Sequence, residues 1–173
     1  MPGFLSAVLG SVLILAAWLD YRVRRIPNWL TAGGLVVSLA LRGLIGWDAL
    51  AAGLLGAAMG LLLGVSLFAV GALGAGDGKL LAAVGGALGF DTFLLSLPLI
   101  GAFGGVLALA VSLWGGTSVA TLLRFRELLF YVVTFGRIGE RRTLAMPGAV
   151  TVPYGIAVAA GAAMAWLGWG LTL

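Results

Sequence analysis

Gly74-Ala75-Gly76-Asp77-Gly78-Lys79 is the stretch of sequence that decides the fold. It ends the uncharged segment 49–76 and contains the only lysine of the chain. A carboxylate at the end of an apolar span is energetically costly in a bilayer, and residues of this kind commonly have a functional role. Asp20 ends the first apolar segment in the same manner. The two aspartates are therefore predicted to lie at corresponding edges of a membrane.

The composition indicates a membrane protein. The chain has 173 residues, of which 62% are hydrophobic and 9% are charged, and its mean hydropathy is +1.17. These values lie far outside the range of soluble domains. We predict one domain over residues 1–173, an all-α bundle in contact with the lipid bilayer. The net charge of +4 is attributed to membrane topology, and no nucleic-acid partner is expected.

Six apolar segments are predicted to cross the roughly 30 Å hydrocarbon core. The predicted spans are 4–19, 29–44, 49–73, 77–90, 93–114 and 152–171. The first is interpreted as an uncleaved helix, because its basic residues follow the apolar run instead of preceding it. The fourth corresponds to only about 21 Å of helix. Either the bilayer is thinner there, or Asp77 begins its helix slightly below the membrane surface.

The basic residues predict the orientation. Nine of the ten follow the first, third and fifth spans, and only Arg42 lies on the other side. The positive-inside rule places these three connections in the cytoplasm and both termini outside. In the last of them, Leu122, Phe125, Leu129 and Val132 share one helical face. This pattern predicts an amphipathic helix on the cytoplasmic surface, over about residues 118–137.

Small residues recur at the spacing typical of close helix packing. They form three predicted ridges: Gly56, Gly60 and Gly64; Gly78, Ala82 and Gly86; and Ala157, Gly161 and Ala165. Such ridges allow helices in lipid to approach closely. Gly74, Gly76 and Gly78 allow a helix or an extended substrate to approach Asp77. A glycine-rich turn with Asp77 as helix cap is the structural alternative.

The residue types narrow the chemistry. The chain contains no cysteine and no histidine, which excludes thiolate nucleophiles, Cys/His metal sites and His-assisted serine mechanisms. No metal or other cofactor is expected. Two carboxylates that share a proton can activate water for peptide hydrolysis. A serine–lysine mechanism would need Lys79, but the closest preceding serine is Ser66, within a span. A channel, carrier or assembly scaffold that binds cations or protons at Asp20 and Asp77 is the non-enzymatic alternative.

Four motifs resemble those of type IV prepilin peptidases, membrane aspartic proteases of the GxGD type. They are Asp20-Tyr21-Arg22, Arg25-Ile26-Pro27-Asn28, Gly74-Ala75-Gly76-Asp77-Gly78-Lys79-Leu80 and Pro153-Tyr154-Gly155. The resemblance covers nearly the whole chain, and it implies that Asp20 and Asp77 are the catalytic pair. It also implies a pilin-like (prepilin or preflagellin) precursor as substrate, cut after a short basic leader at the cytoplasmic edge of the membrane.

The chain is most similar to the short members of this family, from Flp/Tad pilus systems or from archaea. It lacks the cysteines that form a zinc site in the larger bifunctional members, so the resemblance does not extend to N-methylation. The remaining motif residues have open roles. Arg22 either orients Asp20 or signals topology, Lys79 either contacts the site or reaches the interface, and Asn28 after Pro27 is expected to cap the second helix. Pro153, Tyr154 and Gly155 are expected near the pair.

Overall fold

A computed structural model describes residues 3–114 and 154–169 of the chain. Every element in this part is an α-helix. The helices are α1 (Gly3–Val23), α2 (Asn28–Ile45), α3 (Trp47–Ala69), α4 (Ala75–Leu88), α5 (Phe90–Trp114) and α6 (Tyr154–Trp169). The all-helical prediction is confirmed for these residues. The predicted amphipathic helix over 118–137 lies outside them.

Among the helices that the structure describes, four are long and apolar enough to cross a membrane, namely α1, α2, α3 and α5. Helix α4 has 14 residues and α6 has 16, so the number of six spans remains a prediction. The outward surfaces of the long helices carry large apolar side chains such as Ile14, Leu62 and Val106. Surfaces of this kind are expected where helices face lipid. The fold is therefore that of a multi-pass membrane protein.

The third predicted span was too long at its carboxyl end. Helix α3 ends at Ala69, four residues before the predicted boundary at Leu73. The chain turns there because Gly71 adopts a positive φ of 75°, and the amide of Ala72 donates to the carbonyl of Leu67 at 2.8 Å. Apolarity continued past this turn, so hydropathy alone did not reveal it. The turn 70–74 leads directly into α4.

Helix α4 is the centre of the bundle. It packs against all five other described helices, and from Gly78 to Leu88 every residue except the exposed Lys79 is buried. A helix surrounded in this way needs no amphipathic pattern, and its glycines are stabilised by packing rather than by helix propensity. Its two ends lie at opposite edges of the bundle.

The predicted glycine ridge of α3 is confirmed as the contact with α4. A Cβ added at Gly56 or Gly60 would overlap the carbonyl oxygen of Gly85 or of Leu81, and Gly64 meets the backbone of Gly78. The two backbones are thus in direct contact. This contact requires glycine, because any side chain would push the helices apart. It holds the amino end of α4, with Asp77, beside the end of α3.

Candidate active site

Three segments meet at one edge of the bundle. They are the end of α1 with the loop 24–27, the turn 70–74 with the start of α4, and the start of α6. Gly155 lies against Asp20 and Ile26, and Gly76 lies against Ile26. The first and fourth predicted spans therefore present Asp20 and Asp77 at the same edge, as the sequence predicts.

Asp20 lies one turn before the end of α1 and is 6% exposed. The backbone N–H groups of Gly155 and Ile156 donate toward its carboxylate. These groups belong to the first turn of α6, where unpaired amides and the helix dipole favour a negative charge. Oδ2 of Asp20 is buried and has no hydrogen-bond partner within the described part of the chain.

Gly155 makes the contact between α6 and Asp20 possible. A Cβ at this position would lie 2.8 Å from Oδ2 of Asp20 and 3.0 Å from its Cβ. Both distances are too short for a real side chain to occupy without a shift of α6 or α1. The glycine thus allows the helix amides to reach the carboxylate.

Asp77 is the third residue of α4 and is half-buried. Its carboxylate accepts a hydrogen bond from the backbone N–H of Gly74, and its charge interacts with that of Asp20. Gly74 is the N-cap residue of α4, and Asp77 at the third helical position bonds back to its amide, as a carboxylate at that position does in a capping box. The structural alternative, in which Asp77 caps the helix, therefore remains beside the catalytic one. Two carboxylates that repel one another thus face the same small region.

Tyr154 and Gly155 begin α6 beside this pair. The Tyr154 ring packs against Gly104 of α5, and its hydroxyl is close enough to Asp77 for the two to interact electrostatically. The segment Tyr154-Gly155 thus lies near both aspartates. Pro153, the remaining residue of that motif, lies outside the described residues.

The arginine that acts on Asp20 is Arg24, not Arg22. The side chain of Arg22 is exposed and lies over the Trp18 ring, at 5.8 Å from its centroid. Arg24 donates its backbone N–H to the carbonyl of Asp20 at 3.0 Å, and its positive charge interacts with the Asp20 carboxylate. It also adopts a positive φ of 53°, which is uncommon for a residue with a side chain. Sequence alone gave no signal for this difference.

Asn28 and Lys79 are joined by a hydrogen bond across the bundle. Nζ of Lys79 donates to Oδ1 of Asn28 at 2.8 Å, which links the starts of α4 and α2. The prediction that Asn28 caps α2 is wrong, because Pro27 is the N-cap residue and no side-chain cap bond forms. The proline ring fixes φ for the turn into α2, which frees the Asn28 amide for Lys79.

Ile26 is a site residue that the sequence analysis did not single out. Its side chain is buried, and its Cδ1 would lie 2.9 Å from a Cβ at Gly155. Its Cβ would lie 3.4 Å from a Cβ at Gly76. Ile26 thus fills the space that the two glycines leave between α4 and α6. An isolated isoleucine in a basic loop carries no pattern that would have revealed this position.

The three glycines around Asp77 have different roles. Gly74 precedes the helix, and its missing side chain leaves room for Oδ2 of Asp77, at 3.0 Å from a Cβ placed there. Gly76 contacts Ile26, and Gly78 packs on Gly64 of α3. None of the described residues forms a group of three or more His, Cys, Asp or Glu that could hold a metal ion.

The fold and the site together define a helical membrane protein with two carboxylates at one edge. A family model, the type IV leader peptidase family, matches residues 7–113, which is more than half of the chain. The chain therefore belongs to the type IV leader peptidase family, and a protease function follows from that membership. The match includes Asp20 and Asp77 but ends before α6. Comparison with curated proteins and with solved structures gives no significant match.

Proposed function

We propose that the protein is an aspartic endopeptidase with Asp20 and Asp77 as its catalytic pair. Its substrates would be type IV pilin-like precursors, from which it removes a short basic leader at the cytoplasmic edge of the membrane. The observation that carries the proposal is that these two carboxylates, on different helices and far apart in sequence, lie at one edge of the bundle, close enough for their charges to interact. Membership of the leader peptidase family supports the substrate class.

The chemistry follows from a proton shared by the two carboxylates. The ionised one accepts a proton from water, and the resulting hydroxide attacks the scissile carbonyl carbon. The protonated one donates a hydrogen bond to the carbonyl oxygen, where negative charge develops. Collapse of the tetrahedral intermediate breaks the C–N bond, and the proton taken from water passes to the leaving amine. No covalent enzyme intermediate is needed.

The surroundings suggest a division of labour between the two groups. Asp20 receives backbone amides from α6, which stabilise a negative charge. Asp77 lies beside the Tyr154 hydroxyl, with only the Gly74 amide as backbone donor. We therefore assign the ionised, water-activating role to Asp20 and the proton-donating role to Asp77.

Cleavage of a precursor in detergent or liposomes tests this proposal. The substrate is a peptide with a basic leader, a glycine before the cut and a hydrophobic helix. Wild type should cleave it, whereas Asp20→Asn and Asp77→Asn should each lower the rate by about 10³-fold or more, because general acid–base catalysis is lost. The double variant should be little worse than either single one, since the pair acts as a unit.

Robust cleavage by either single variant would refute the two-aspartate mechanism. A wild type that cleaves no precursor but conducts ions, with a flux that the same substitutions alter, would favour the carrier or channel alternative. Far-UV circular dichroism of each variant controls for folding.

The proposed location is the cytoplasmic membrane, with both termini outside and the aspartates facing the cytoplasm. It is supported by the nine basic residues on one set of connections. The absence of cysteine makes the test direct. In intact cells, an impermeant thiol reagent should label Thr92→Cys and not Arg141→Cys. The opposite labelling pattern would reverse the orientation.

A further inference from the structure

Arg42 is a buried cation at the edge of the bundle opposite the aspartates. The residue is only 8% exposed. It is also the one basic residue that lies outside the three basic connections. Its Nη1 donates to the carbonyl of Ala49 on α3 at 3.0 Å, and its Nη2 donates to the carbonyl of Ala87 on α4 at 2.9 Å. The side chain therefore ties α2 to α3 and to the carboxyl end of α4.

Two glycines make room for this side chain. A Cβ at Gly53 would lie 2.5 Å from Cδ of Arg42, and a Cβ at Gly89 would lie 2.7 Å from Nη2. Gly89 also ends α4 with a positive φ of 79°. The guanidinium thus sits at the negative end of the helix dipole of α4, where a cation is stabilised. A buried arginine for which two glycines leave space in this way is expected to have a specific structural role.

The contact between α3 and α4 explains why such a tie is needed. Where Gly56, Gly60 and Gly64 meet α4, the interface consists of backbone against backbone. Glycine ridges allow close approach, but they provide no large side chains that interlock along the helix axis. On the face toward α3, the axial position of α4 is therefore restrained by directional bonds at its ends rather than by interlocking side chains.

We infer that Arg42 is a positioning residue that fixes α4 along its axis and thereby sets the depth of Asp77. Ala87 follows Asp77 by ten residues, which corresponds to about 15 Å of rigid helix. Because the helix moves as a unit, the bond at Ala87 determines how far below the membrane surface Asp77 lies. The consequence for catalysis rests on the proposed function, whereas the consequence for depth does not.

The direction of the effect follows from the charge on Asp77. A carboxylate is better solvated in water than inside the bundle. When the tie to Arg42 is lost, α4 is expected to move toward the edge that carries Asp77. Asp20, on α1, would stay in place, and the two carboxylates would separate.

Depth-dependent fluorescence quenching tests this inference without any protease assay. A fluorophore is attached to Ala75→Cys, an exposed position at the start of α4, in wild type and in Arg42→Met. Spin-labelled lipids should report a shift toward the aqueous edge of about 1.5 Å or more, the rise of one residue. A fluorophore at Tyr21→Cys, exposed on α1, is the matched control and should not shift. An unchanged depth at residue 75 in a folded Arg42→Met protein would overturn the inference.

Two further variants distinguish the effect of the position of the Arg42 side chain from the effect of its charge and from a loss of folding. Gly53→Ala leaves the arginine in the chain but displaces it. The added methyl also meets the α4 carbonyl of Gly86 at 3.1 Å, so the shift should be at least as large. Arg42→Lys keeps the charge but cannot bridge two carbonyls, and should shift residue 75 part of the way. If wild type cleaves precursors, all three variants should lower kcat by about 10-fold or more with KM changed less than about threefold. A loss confined to KM, or an unshifted Gly53→Ala, would contradict the positioning role.

Discussion

The two ends of α4 differ in the charges that surround their buried ionisable groups. At the carboxyl end, Nη1 and Nη2 of Arg42 donate to two carbonyls in a space shaped by Gly53 and Gly89, and its Nε has no partner among the described residues. At the amino end, Asp77 is half-buried beside the like charge of Asp20, whose Oδ2 has no partner among the described residues. Like charges held together lower stability, whereas a cation that donates to carbonyls at the carboxyl end of a helix is stabilised by the helix dipole. The comparison suggests that one end stabilises the bundle and the other is kept available for chemistry.

The largest expected effect is a contrast in stability between these ends. Arg42→Met removes the side-chain donor from the buried carbonyl of Ala87, at about 1–3 kcal/mol, and from the part-buried carbonyl of Ala49, offset in part by removal of a buried charge. We expect its thermal midpoint to fall by about 4–8 °C. Asp77→Asn removes the repulsion from Asp20, so its midpoint should equal or exceed that of wild type.

Thermal unfolding followed by circular dichroism in one detergent checks both changes. The comparison is matched, because each variant removes one charge, Arg42 at the carboxyl end of α4 and Asp77 at its amino end. A loss of stability in Asp77→Asn equal to that in Arg42→Met would remove the distinction between the two ends.

A smaller effect is expected where α6 meets Asp20. Gly155→Ala places a methyl group against Oδ2 of Asp20 and Cδ1 of Ile26, so α6 must move away from the carboxylate. We expect precursor cleavage to fall by about 10- to 100-fold, the cost of a misplacement on the order of 1 Å. The rate of precursor cleavage measures this loss.

Gly105→Ala is the matched control for this change. It adds the same methyl group at a position where a Cβ would meet no atom within 4 Å, and cleavage should be unchanged. Full activity in Gly155→Ala would show that the α6 amides do not support Asp20. The further variant Gly155→Ala with Ile26→Val, which shortens the clashing side chain, should recover part of the rate.

Only part of this site was predictable from the sequence. Asp20 and Asp77 were identified because each is a carboxylate at the end of an apolar run, where few structural roles exist. Tyr154 and Gly155 were placed near them by resemblance alone. Arg24 and Ile26 belong to a loop whose geometry depends on a positive φ at Arg24 and on space left by distant glycines. No periodicity records such contacts.

The fold, like the site, was predictable from the sequence only in part. Helix positions followed from hydropathy, because the length of an apolar run is set by the bilayer. The end of α3 was missed because the turn after Ala69 is itself apolar. In the sequence, Arg42 was notable only as the one basic residue outside the three basic connections. Its bonds to Ala49 and Ala87 depend on how three helices pack. These tertiary contacts, which no local sequence pattern encodes, also distinguish the two ends of α4.

The smallest expected effect concerns the hydrogen bond between Lys79 and Asn28, beside the aspartates. The bond is exposed, so Lys79→Met and Asn28→Ala should each lower kcat/KM by only about twofold to fivefold, the size expected for one solvent-accessible hydrogen bond. If the bond acts by holding the start of α4 against α2, the double variant should resemble either single one. Lys79→Arg, which keeps a donor and the charge, should be close to wild type. A Lys79→Met loss far larger than that of Asn28→Ala, with additive effects in the double variant, would instead show that the Lys79 ammonium contacts substrate directly. The rates of wild type and of these four variants are measured with one precursor. They decide whether the amino end of α4 has a weak structural tie of its own or depends on Arg42 alone.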